Sequence, residues 1–163
     1  MAAGPNEKLL IFVRHPLPGS TKTRLIPLLG EAGAADLQRQ MTEHILATAA
    51  AAGKKRGFAV EIRYAGGSAD RMRQWLGPGL RYRPQLGGNI GERMRNALQE
   101  ALVEGCERAV IIGTDIPAIS GPILARAFEA LAGHDVVLGP AADGGYYLVG
   151  VRRRCPTEML SKL

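Results

Sequence analysis

Two cysteines, Cys106 and Cys155, are all that a chain of 163 residues carries. They are too few and too far apart for a disulfide framework or a metal-ligand spacing. No apolar run approaches the roughly 20 residues that span a bilayer. The segment Met1 to Glu7 shows no basic stretch followed by an apolar one, so neither a membrane span nor a secretory leader is expected. These absences predict a soluble protein in a reducing, cytoplasmic compartment with no membrane partner.

Aromatic residues are scarce, at 5%. The basic groups are dispersed as Lys54-Lys55-Arg56, Arg71/Arg73, Arg81/Arg83 and Arg152-Arg153-Arg154, runs that read as mostly solvated surface. A nucleic-acid binder would combine one basic face with stacking aromatics, so nucleic acid is disfavoured as a partner. Gly-Ser-Thr-Lys-Thr at 19–23 lacks the glycines of a Walker A loop, because Thr21 and Pro16 stand where they are needed. A P-loop kinase is disfavoured in turn.

What is present suffices for one ordinary core. Hydrophobic residues make up 46% and charged residues 22%, which predicts a single domain over residues 1–163. The formal charge of +6 and a pI near 9.7 favour anionic ligands.

Apolar and periodic segments alternate along the chain. Leu9 to Val13 reads as a strand buried on both faces, followed by a loop from Arg14 to Pro27. From Ala34, residues Leu37, Met41, Ile45 and Ala49 mark one helix face, with Gly53 as the expected stop. Phe58 to Tyr64 predicts a second strand, Ser68 the cap of a second helix, and Leu80 to Arg83 a short third strand. Asn89 followed by Glu92 predicts a capping box for a helix with Ile90, Met94, Leu98 and Leu102 inward. Ala109 to Ile112 is the next strand, and Ser120 with Pro122 opens another helix. Asp135 to Gly139 and Gly145 to Val151 close the series as strands. The alternation predicts a three-layer, Rossmann-like α/β domain with a mainly parallel sheet and helices on both faces.

Ligands of such sheets bind outside the carboxyl ends of the strands. The loop there after the first strand carries Arg14, Gly19, Lys22, Thr23 and Arg24, and Lys22 and Arg24 would place two cations, a Thr hydroxyl and a closely approachable backbone beside a phosphate group, the makings of a polyphosphate cradle. A solvated basic loop is the competing reading. Asp115, at a strand end before Ile116-Pro117, is placed to hold Mg²⁺ (or Mn²⁺) between phosphate oxygens, or else to cap an Asx-turn. Asp143 in Asp-Gly-Gly is a second metal ligand, a group orienting the acceptor, or simply a turn residue. His15 could touch phosphate or serve as a hydrogen-bonded loop histidine, while His44 and His134 have no partners at ligand spacing. Tyr146 and Tyr147 alternate across a strand, so at most one faces the site.

Four blocks carry a family resemblance: Phe12 to Leu25, Gln85 to Met94, Ile112 to Pro117 and Gly139 to Gly150. In order and spacing they resemble the bacterial radical-SAM/selenodomain-associated transferases of the nucleotide-diphospho-sugar transferase (GT-A) superfamily. That family is similar to molybdenum cofactor guanylyltransferase and 2-phospho-lactate guanylyltransferase. The resemblance implies transfer from a nucleoside triphosphate or nucleotide-sugar to a small-molecule acceptor. It places Lys22 and Arg24 on phosphates, Asp115 on the metal, and Gly87, Gly88, Asn89 and Arg93 near base or phosphates. Lys22, Asp115 and Asp143 form the expected catalytic set. Asn89 stands where the family pattern has an acidic residue, and relatives continue for several tens of residues past the double-glycine strand. A non-catalytic nucleotide-binding or oligomer-forming remnant is therefore the alternative reading, with homo-oligomerisation expected to cover exposed apolar surface.

Overall fold

The computed structural model describes residues 6–163. Of the segment Met1 to Glu7, on which the leader expectation rests, residues 1–5 lie outside the described residues. Among the described residues no helix is long and apolar enough to cross a membrane.

The elements are β1 (Glu7–Arg14), α1 (Ile26–Arg56), β2 (Ala59–Ala65), α2 (Ala69–Leu76), β3 (Arg81–Pro84), α3 (Ile90–Val103), β4 (Arg108–Ile112), α4 (Gly121–Ala130), β5 (Val136–Pro140), β6 (Tyr146–Arg152) and α5 (Thr157–Leu160). They build one six-stranded sheet in the order β3-β2-β1-β4-β6-β5. Strands β1 to β4 are parallel where they pair, and β6 is antiparallel to both its neighbours. Only β6 is thus reversed, which makes the sheet mainly parallel, as the alternating sequence predicts.

One face of the sheet carries the larger core. Leu9, Ile11, Val13, Ile62, Val110 and Ile112 meet Ile45 and Ala49 of α1 and Leu124 and Phe128 of α4. Phe58 stacks on Phe128 with ring centroids 4.9 Å apart. On the other face Leu10, Ile111, Val149 and Val151 pack against Ala97, Leu98 and Ala101 of α3 and Leu160 of α5. Full burial of each such large apolar side chain contributes about 1.5–3 kcal/mol. Helices on both faces explain why the central strands read as continuous apolar runs.

Several local expectations are revised. The first helix begins at Ile26, with Pro27 in its first turn, and bends at Gly30, where φ is 73°. Gly53 does not stop it. The helix runs on to a left-handed Gly57, and Gly53 instead makes room, since a Cβ there would lie 2.9 Å from the Phe58 carbonyl. The buried stripe is also rotated: Gln38 and Thr42 are buried, whereas Leu37 and Met41 are only partly so. Glu92 reaches back to the Gly88 N–H rather than to that of Asn89, while Asn89 Oδ1 accepts from Glu92 N as a cap should.

The basic runs are less solvated than their dispersion suggests. Arg63 and Glu61 of β2 pair at 2.7 Å with both side chains 2% exposed, and Glu100 of α3 takes the other end of Arg63. Arg81 and Arg83 join this network through Glu104. Arg56 is clasped by Glu7, and Arg152 by Asp135. An ion pair so deep is costly to break, because the partner left behind is buried and uncompensated.

Candidate functional site

Strand order reverses between β1 and β4. From β1 the chain builds outward through β2 and β3, then returns to place β4 on the other side of β1. Loops leaving two such neighbours diverge and leave a crevice at their carboxyl ends. The β1 loop begins at His15 and the β4 loop at Gly113. Because β6 is antiparallel to β4, with Ile112 opposite Leu148, its leading loop at 141–145 opens on the same edge.

The β1 loop is held by its own buried hydroxyl. Thr21, 1% exposed, donates to the His15 carbonyl and accepts from the Leu17 N–H. Gly19 turns with φ 86°. Lys22 is the one non-glycine residue with positive φ among the described residues, at 48°, a conformation that L side chains adopt mainly where surroundings enforce it. The turn sends Lys22 Nζ across the crevice to Asp115 Oδ1 at 2.8 Å. Thr23 and Arg24 follow in a short 3-10 turn and are exposed, as is Arg14 at the end of β1. Arg14 and Arg24 make no side-chain hydrogen bond or ion pair with the described residues.

Asp115 is positioned from α1. Gln38 Nε2 donates to Thr114 Oγ1 at 3.3 Å and also to Thr42 Oγ1, and Thr42 donates to the Gln38 carbonyl. Two residues after Asp115, the Pro117 carbonyl lies 3.1 Å from His44 Nε2. The loop is thus tied on both sides of a carboxylate that remains 73% exposed. None of these supports is visible in the sequence stripe Leu37, Met41, Ile45 and Ala49, which leaves out Gln38 and Thr42, and the His44 contact is to a backbone carbonyl rather than to a side chain at ligand spacing. A signal was present in the spacing: Gln38, Thr42 and Ile45 follow the same helical stripe.

Asp143 behaves differently. Its Oδ1 accepts from the Gly145 N–H at 2.9 Å, and Gly144, with φ 88°, completes the turn. No hydrogen bond or ion pair joins it to Lys22 or Asp115 among the described residues. The Gly-Gly loop before α3 is fixed by that helix: Arg93 Nε donates to the Gly87 carbonyl and Asn96 to that of Leu86. At Gly87 a Cβ would stand 2.9 Å from the Arg93 nitrogen, and φ there is 142°. Gly87, Gly88, Asn89 and Arg93 therefore form one rigid lip at the end of β3.

His15 packs between elements. Its backbone N–H bonds Ala65, its ring meets Trp75 edge-on at 6.0 Å, and Gly67 lies so close that a Cβ would stand 3.2 Å from Cγ. Burial first, and the charge of Arg71 second, lower its pKa below the ordinary histidine value. Its buried Nδ1 has no hydrogen-bond partner among the described residues. Tyr146 packs toward the α3 face and Tyr147 toward the opposite one, as alternation requires.

Three cations stand at this edge: Lys22, held by Asp115, and the exposed Arg14 and Arg24, groups of the kind that make charge-assisted bonds to phosphate. Among the described residues no three His, Cys, Asp or Glu side chains gather as a metal set. Mg²⁺ commonly takes one or two carboxylates and completes its shell with water and phosphate oxygens. An exposed Asp115 suits an ion shared with a ligand phosphate rather than one caged by protein.

The chain matches the model of a family described as uncharacterized protein conserved in bacteria (DUF2064) over residues 47–163. Its structure is similar to that of a protein from Desulfovibrio desulfuricans G20, provisionally assigned as a nucleotide-diphospho-sugar transferase. The TM-score is 0.88 and the identity 34%, covering 97% of this chain and 68% of that one. A 4-diphosphocytidyl-2C-methyl-D-erythritol synthase from Anaerococcus prevotii DSM 20548 shares the fold at TM-score 0.61 and 11% identity, covering 96% of this chain and 75% of that one. So does Rv0371c from Mycobacterium tuberculosis H37Rv, at 0.60 and 18%, covering 100% and 78%. Among curated proteins none matches the sequence at a significant level.

Proposed function

The chain belongs to the DUF2064 family, and from that membership and the site at its strand-order reversal we propose that it is a divalent-cation-dependent transferase using a nucleotide donor. The donor is a nucleoside triphosphate or a nucleotide-diphospho-sugar, and the acceptor is a small molecule with a phosphate or hydroxyl nucleophile. The observation that carries the reading is the meeting of Lys22 and Asp115, 2.8 Å apart across the crevice between β1 and β4. The likeness to the Desulfovibrio protein, at 34% identity, supports the nucleotide-diphospho-sugar transferase class.

In this reading Lys22 and Arg24 face the donor phosphates, with Arg14 at the crevice rim, and Asp115 holds the cation. Bound there, Mg²⁺ would neutralise phosphate charge as a Lewis acid. With a triphosphate donor, an acceptor oxygen attacks the α-phosphorus, the bond to the β-phosphate oxygen breaks and pyrophosphate leaves. With a nucleotide-sugar donor, the acceptor attacks the sugar carbon and a nucleoside diphosphate leaves. Either way negative charge grows on a departing phosphate chain, where pre-placed cations lower the barrier most. Asp143, already engaged by Gly145, shapes the acceptor side of the crevice.

Thermal-shift screening of nucleoside triphosphates and nucleotide-sugars, each with Mg²⁺ and with a chelator, tests the proposal. Metal-dependent stabilisation by members of either set is expected. No response to any nucleotide would overturn it.

A further inference from the structure

We infer that Lys22 occupies the cation position of Asp115 in the ligand-free protein, so that the divalent ion and the phosphate chain enter the site together. The inference rests on the proposed function for the identity of the two ligands.

Lys22 is placed with unusual definition for a loop lysine. Its left-handed backbone, the buried Thr21 before it and the bond from Leu25 N to its own carbonyl fix where the side chain leaves the loop, and the contact with Asp115 Oδ1 fixes where it ends. That side chain is 15% exposed although its loop lies at the surface. The ammonium rests on one oxygen of the carboxylate best placed to hold a metal, supplying one positive charge where a divalent ion would supply two. An ion arriving alone must either share the carboxylate with the ammonium on its Oδ1, against like charge, or displace Lys22 and leave it without that partner. A phosphate chain arriving alone must draw Lys22 away and leave Asp115 uncompensated beside phosphate. When both arrive, Lys22 passes to phosphate, Asp115 passes to the metal, and every charge keeps a partner. Reciprocal coupling between the two ligands follows by linkage.

Lys22 therefore opposes one ligand and assists the other, so its removal has opposite effects on them. Mn²⁺ binding, followed by electron paramagnetic resonance without nucleotide, should tighten about two- to five-fold in Lys22→Met, the range an exposed ion pair can withhold. Lys22→Arg retains the pair and should stay at the wild-type value. The gain should vanish in the Lys22→Met/Asp115→Asn double variant. Inorganic tripolyphosphate in chelator, titrated calorimetrically, should bind Lys22→Met more weakly than wild type. Mn²⁺ affinity that is unchanged or lower in Lys22→Met, or a gain that survives Asp115→Asn, overturns the inference. If wild type binds neither tripolyphosphate nor any nucleotide, the proposed function fails, whatever the Mn²⁺ arm shows.

Discussion

Gln38, buried in the middle of α1, donates to the hydroxyl of Thr114, the residue immediately before Asp115. The bond joins the core helix to the crevice loop, so the position of the candidate metal ligand is set from inside the protein. Gln38→Leu keeps the volume but leaves Thr114 without that partner. A cost of about 1–3 kcal/mol in unfolding free energy is expected. Faster hydrogen exchange at residues 113–117 should accompany it. Exchange unchanged in that loop would show that Gln38 does not hold it.

Lys22→Ala and Arg24→Ala should both weaken nucleotide binding without unfolding the protein, since neither side chain belongs to an apolar cluster. Each lost charge-assisted bond costs about 1.5–3 kcal/mol. Among the described residues Arg24 has no side-chain partner to give up, so its removal shows the full loss. The Lys22 loss should be smaller by up to about 1 kcal/mol, the worth of the ion pair it already makes with Asp115. Calorimetric titration of wild type and both variants measures the order, and equal affinities in all three would move the site elsewhere.

The strand ends that frame this site were legible in the sequence. Continuous apolar runs flanked by polar loops announce strands covered on both faces, and the loops bearing Lys22 and Asp115 follow from them. What was not legible depended on neighbours distant in sequence. Gln38 and Thr42 look like solvent positions until Thr114, 76 residues beyond Gln38, supplies a partner. Arg63 reads as a surface strand charge until Glu61 and Glu100 enclose it. Gly53 resembles a helix stop because the approach of Phe58 that requires it cannot be seen in local spacing. The Asp143 turn, by contrast, is a local signal, since Asp-Gly-Gly closes on itself through the Gly145 N–H without any distant neighbour.

His15 gives the site a pH signature. Its pKa lies below 6.5, lowered by burial and by Arg71, so the fold favours the neutral ring. The associated stability is fully present above about pH 6.5 and is lost as pH falls through the lowered value. Melting temperature should drop on acidification through this window, and less steeply in His15→Gln. Parallel profiles for the two proteins would assign the acid sensitivity to other groups.

Gly150 shows where the second half of the sheet tolerates no side chain. A Cβ there would meet Val137 at 2.7 Å, Val110 at 2.9 Å and Leu131 at 3.0 Å. All three contacts come from packed apolar residues, so Gly150→Ala should destabilise by about 1–3 kcal/mol through overpacking. Chemical denaturation of the variant checks this, and a wild-type midpoint would contradict the packing described for β4, β5 and β6.

The most direct test concerns Asp115, whose charge the proposed function needs and whose shape a local turn alone would need. Asp115→Asn preserves the shape and removes the charge. Nucleotide found active in thermal-shift screening is titrated calorimetrically into wild type and Asp115→Asn, each with Mg²⁺ and with chelator. The predicted result is a Mg²⁺ enhancement in wild type that is lost in a variant of similar melting temperature. A wild-type enhancement retained in full by Asp115→Asn would contradict the assignment of Asp115 as the metal ligand.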